Sequence, residues 1–89
     1  MQIHLHASLR RYCDNQASIE LVGSVSFPQL LANLVQEYPA LEPILFNQHQ
    51  ELNPYILIYV NGQDARYLAP DFIIPEQAKI DIMTSLVGG

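Results

Sequence analysis

A single stretch of this chain reads as a full helix, residues 26–38, and segments that alternate apolar and polar residues lie on both sides of it. This pattern constrains the fold more than any other feature, because strand pairs flanking one helix can bury their apolar faces only by sharing a sheet. The helix has a defined start: Ser26 caps it, Pro28 is tolerated in the first turn, and Gln29 stands three residues after the cap. Val25 before the cap and Leu30 within the helix are placed to pack as a hydrophobic staple. Phe27, Leu30, Leu31, Leu34 and Tyr38 form the stripe that faces a core, and Pro39 ends it. Residues 40–46 read as a short helical turn and 47–54 as a polar loop.

In residues 2–8, Ile3, Leu5 and Ala7 alternate with His4, His6 and Ser8, which predicts a strand with one buried face. Residues 9–18 read as a loop. Residues 18–25 alternate again, with Ile19, Leu21 and Val25 inward, and predict an antiparallel partner for the first strand. Residues 55–60 are apolar throughout and rich in β-branched and aromatic side chains, as in a central strand covered on much of both faces. Asn61-Gly62 signals a tight turn, after which 65–68 are predicted to pair back. Pro70 and Pro75 bracket an irregular stretch. Residues 79–84 form the last strand, with Ile80 and Ile82 inward and Asp81 outward. The economical solution is an α+β fold: a mixed sheet with the first and last strands side by side and the helix across one face. That is the β-grasp, or ubiquitin-like, arrangement. It gives a domain over 1–84 and a flexible tail over 85–89.

Composition removes several classes of function. The chain has 89 residues, enough for one domain, and a net charge of −5. Nucleic acid is therefore a poor partner, since phosphate contacts need clustered Lys and Arg. No apolar run is long enough to span a membrane, and with no basic stretch followed by an apolar one at the N-terminus no secretory leader is expected. A lone cysteine, Cys13, permits no internal disulfide and fits a reducing, cytoplasmic setting; it reads as an incidental loop residue. It also excludes an iron–sulfur β-grasp protein, whose cluster needs four cysteines. His4 and His6 share a strand face but have no third ligand, since His49 lies in a distant loop, so no metal site is expected. No nucleophile–base pair, catalytic carboxylate pair or phosphate loop is present, and the chain reads as a non-enzyme that binds no cofactor.

The order of elements, the segment Ile56-Leu57-Ile58-Tyr59-Val60-Asn61-Gly62-Gln63-Asp64-Ala65-Arg66 and the terminal Leu86-Val87-Gly88-Gly89 resemble the MoaD/ThiS family of sulfur carriers over essentially the whole chain. A first strand running into an arginine-bearing loop, Leu9-Arg10-Arg11-Tyr12, is similar too. Within the family, the length and the Ile58-to-Arg66 stretch resemble carriers that feed a cysteine synthase.

The resemblance implies that an ATP-dependent adenylating or sulfurtransferase enzyme activates the Gly89 carboxylate, which is then converted to a thiocarboxylate. The implied sulfur acceptors are a cysteine synthase, the large subunit of molybdopterin synthase, a thiazole-forming enzyme or a tRNA-thiolating enzyme, with the first two ranked ahead. Leu86, Val87 and Gly88 would thread the partner's tunnel, where glycine's lack of a Cβ allows close approach. Five extended residues reach roughly 17 Å at about 3.3–3.6 Å each. His4, His6 and Met83 are expected on the sheet face opposite the helix, available for docking, and Arg66 is a further docking candidate. In the molybdopterin branch two prolines usually precede the tail and the docking face is apolar. Thr84-Ser85 and the two histidines depart from that pattern. Two other readings use the same features: a ubiquitin-type modifier joined through Gly89 to lysines, and an interaction domain whose tail has no role.

Overall fold

The computed structural model describes residues 1–85. Seven strands and two α-helices follow the order β1 (Gln2–Leu5), β2 (Ser18–Glu20), β3 (Val25–Ser26), α1 (Phe27–Glu37), α2 (Glu42–Leu45), β4 (Ile56–Val60), β5 (Gln63–Asp64), β6 (Ile73–Ile74) and β7 (Lys79–Thr84). The main sheet runs β2-β1-β7-β4-β5. The first and last strands pair in parallel, Ile3 opposite Ile80 and Leu5 opposite Ile82. β7 also pairs antiparallel with β4, Ile58 opposite Ile82. The strand that ends in the tail is thus the middle strand of the sheet. Ile3, Leu5, Ile58, Val60, Ile80 and Ile82 supply one face of the core, and Leu30, Leu31 and Leu34 of α1 close over it. This is the mixed sheet with one main helix that the sequence predicts, a β-grasp fold.

Local chemistry accounts for the element boundaries. The Ser26 hydroxyl accepts from the Gln29 amide at 3.3 Å, which caps α1. At the other end Tyr38 leaves helical geometry before Pro39. Asn61 and Gly62 both have positive φ, 49° and 84°, which makes the two-residue turn that joins β4 to β5. The Asn61 side chain then accepts from the Lys79 amide at 2.9 Å and stitches this turn to the start of β7.

Four predicted segments need correction. β1 ends at Leu5 rather than residue 8, and Ala7 is exposed. The chain instead winds into a 3-10 helix, Ala7–Tyr12, because Leu9 and Cys13, four residues apart, both turn into the core. Cys13 is accordingly a core residue, not an incidental loop thiol. The predicted second strand divides: Ser18–Glu20 pairs with β1, Gly23 at φ 98° redirects the chain, and Val25–Ser26 pairs with Ile73–Ile74 in a separate small sheet. That pairing also gives the stretch between Pro70 and Pro75 a strand that its composition conceals. Finally, the partner of β4 is Gln63–Asp64, and Ala65–Tyr67 is a 3-10 turn, not a strand. The Asp64 carboxylate starts that turn by accepting from the Arg66 amide at 2.9 Å.

Candidate functional site

The site is the root of the tail. β1 pairs with β7 as far as Ile82 and β4 pairs with it as far as Thr84, and the Ser85 amide then donates to the Tyr55 carbonyl at 2.8 Å. Three side chains gather beside this point. The Ser8 hydroxyl lies 3.0 Å from His6 Nδ1 and 3.0 Å from the Thr84 hydroxyl, which is itself 3.2 Å from His6 Nδ1. The polar triangle joins the exit from β1 to the last residue of β7. A hollow of about 370 Å³ opens next to it, lined by Ser8, Leu9, Arg11, Tyr12, Ile44, Tyr55, Thr84 and Ser85. The predicted tail residues Leu86, Val87, Gly88 and Gly89 lie outside the described residues.

The sheet face away from α1 presents Leu57, Tyr59, Asp81, Met83 and His4, all half-buried. His4 stands opposite Asp81, with Tyr59 on Asp81's other side, and Leu57 is opposite Met83. His4, His6 and Met83 line one shallow hollow of about 200 Å³ together with Asp81. The sequence expectation that these three residues share a surface therefore agrees with the structure. His6 needs one adjustment: it lies beyond the end of β1, and the hydroxyls of Ser8 and Thr84 engage its ring.

Arg66 is placed differently. It follows β5 at the sheet's outer edge, and its Nη2 meets the Asp64 carboxylate at 2.7 Å, with Nε at 3.2 Å from both oxygens. These side-chain bonds, then the Arg66 amide, hold the Asp64 carboxyl below its ordinary range. The pair is exposed at the arginine, and such pairs contribute little to stability. The Cys13 thiol is pushed above its ordinary 9.0, first by burial and then by Asp14 nearby. Among the described residues no three His, Cys, Asp or Glu side chains converge as a metal site, and no helix is long and apolar enough to cross a membrane.

Sequence reasoning missed Tyr55, Ser8 and the hydroxyl role of Thr84. Ser8 and Thr84 are 76 residues apart, so no local pattern joins them. The one available signal was Thr84-Ser85 standing where prolines are usual in the molybdopterin branch.

A mixed five-stranded sheet crossed by one helix, with its middle strand delivering the end of the chain, is the architecture of ubiquitin-like carriers and modifiers. Residues 3–89 match the ThiS family, and the chain belongs to that family, whose members are small carrier proteins rather than catalysts. Solved structures agree with the fold. Small archaeal modifier protein 1 of Methanosarcina acetivorans is 26% identical, with a TM-score of 0.81 over 99% of this chain and 94% of that one. Mycobacterium tuberculosis CysO is 19% identical, TM-score 0.82, over 96% and 98%. CysO in the Amycolatopsis orientalis BexX/CysO complex is 18% identical, TM-score 0.82, over 99% and 98%. No curated protein matches the chain.

Proposed function

We propose that this chain is a sulfur carrier that works through Gly89. An ATP-dependent enzyme joins the Gly89 carboxylate to AMP and releases pyrophosphate. Sulfide sulfur then displaces AMP from the acyl carbon, leaving a thiocarboxylate and a proton. The thiocarboxylate donates sulfur to a biosynthetic synthase making cysteine or molybdopterin. Gly88, Val87 and Leu86 pass through the partner's tunnel. His4, His6 and Met83 contribute to docking, with Arg66 at the margin. The chain supplies no acid, base or metal; it presents the reacting atom from a fixed origin.

One observation carries this reading: the family match extends through residue 89 and so includes the diglycine. CysO in complex with BexX, in a structure of this fold, supports the expectation of a protein partner. The test is mass spectrometry after incubation with an activating enzyme, ATP and sulfide. Trypsin cuts after Lys79, the last basic residue, and isolates residues 80–89. An oxygen-to-sulfur mass gain on that fragment, absent in Gly89→Ala, is the expected result. An unchanged fragment refutes the carrier reading.

The likeness to small archaeal modifier protein 1 supports a second reading, a modifier conjugated through Gly89 to lysine amines. It predicts high-mass adducts that survive reducing denaturation, whereas the carrier reading predicts none.

A further inference from the structure

We infer that the tail root carries a cationic docking patch, Arg10 and Arg11, which fits an acidic surface beside the active-site mouth of the enzyme that activates the tail. The inference rests on the carrier reading above and extends it to the chemistry of the partner. The chain has four Lys and Arg against nine Asp and Glu, so the placement of the cations matters. Asp64 engages Arg66 on the far sheet edge. Lys79 opens β7, at the opposite end of that strand from the tail root. The remaining two cations, Arg10 and Arg11, sit in the 3-10 helix against the tail root, where Arg11, Thr84 and Ser85 line one hollow. Among the described residues no carboxylate is within ion-pair distance of either.

Both arginines are held in place. Arg10 Nε donates to the Leu5 carbonyl at 3.1 Å, and the Arg11 guanidinium lies 5.1 Å from the Tyr12 ring centroid. Exposed Tyr55 and half-buried Tyr12 and Ile44 give the hollow an aromatic and aliphatic floor. Arginine and tyrosine around a pocket are the residue types that dominate interface energetics, and a guanidinium can pair with a carboxylate through two parallel bonds. The nearest acid along the chain is Asp14, after the 3-10 helix, and Glu42 stands two residues before Ile44 of the hollow. The opposite pole carries Glu20 and Glu76 beside Met1. Those two carboxylates stand close to the Met1 ammonium and Lys79, so charge there offsets, and an acidic partner is attracted instead where the tail emerges, which orients the encounter for threading.

The test measures ATP-dependent charging, read as pyrophosphate release, by the enzyme that charges the unaltered chain. Arg11→Glu, the Arg10→Glu/Arg11→Glu pair and Lys79→Glu are compared. Arg11→Glu and Lys79→Glu change the net charge equally, so they separate position from total charge. Arg11→Glu also leaves the Arg10–Leu5 bond in place should the double variant fold poorly. The patch predicts about a tenfold or larger rise in KM for Arg11→Glu with kcat unchanged, and little change for Lys79→Glu. The gap should close near about 1 M salt, where the screening length is about 3 Å. Equal KM for Arg11→Glu and the unaltered chain overturns the patch while the carrier reading stands, as does an equal loss for Lys79→Glu. If no activating enzyme charges the unaltered chain, both fall together.

Discussion

Replacing Ile82 by alanine tests whether the tail root is held as rigidly as its place in the sheet implies. Ile82 is 2% exposed and lies opposite Leu5 on one side and Ile58 on the other. The substitution removes three buried carbons, worth about 0.8 kcal/mol each in transfer free energy. The cavity left behind adds to this, because close-packed neighbours relax only in part, and brings the total to about 3–4 kcal/mol. Single domains are stable by only about 5–15 kcal/mol, and an 89-residue domain buries a modest share of its surface. Urea unfolding followed by circular dichroism should therefore show the midpoint falling by about 2–3 M with an unchanged slope. Thermal unfolding should fall by about 12–25 °C. Val22→Ala is the internal control: at 88% exposure it should change stability by less than about 0.5 kcal/mol. A loss under about 1 kcal/mol for Ile82→Ala would refute the claim that β7 is packed from its inner face.

Three further outcomes follow from the geometry. Buried Cys13 keeps its proton, so native alkylation at pH 8 should be far slower than in urea. Because burial raises its folded pKa, the associated stability is complete below the ordinary thiol value of 9.0 and declines as pH rises past it; a urea midpoint that climbs above pH 9 would contradict this. The Asp64 carboxyl should titrate by NMR below its ordinary range and return to it in Arg66→Ala, since the arginine's side chain is the first cause of the shift. Its small stabilising effect is present above the ordinary carboxylate range and lost as pH falls through the folded value. Gly62→Ala should cost about 1–2 kcal/mol from backbone strain alone, because φ is 84° and a Cβ there meets nothing within 4 Å; a neutral result would mean the turn relaxes.

Periodicity made the main sheet and α1 legible, since burial of one face imposes a period of two on β1 and β7 and the i, i+3, i+4 stripe on the helix. It failed where elements are no longer than one period. Val25–Ser26 and Ile73–Ile74 are two residues each, and no alternation can be read in a pair. The 3-10 helix was concealed for a related reason: buried Leu9, half-buried Tyr12 and the following Cys13 anchor it to the core among polar neighbours with no strand-like alternation, which resembles a loop. The sheet face proposed for docking was legible because register follows from alternation, which puts His4, Asp81, Tyr59 and Met83 on one side. The tail root was not, because the contacts that define it join residues 6, 8, 55 and 84, brought together only when both strands dock on β7.

That convergence bears on where the proposed partners would bind. If Gly89 reacts as proposed, a five-residue span of at most roughly 17 Å would confine the partner's mouth to the neighbourhood of Ser85. Because β7 is the middle strand, pairing on both sides determines where that neighbourhood lies, which an edge strand would not achieve. Arg11, Tyr12 and Tyr55 line the hollow beside Ser85, and His6 adjoins it through Thr84. Arg66 is separated from β7 by β4 and β5 and is already engaged by Asp64. Docking strength should therefore fall off with distance from Tyr55 across the sheet, and Arg66 ranks last among the four residues that the sequence singled out.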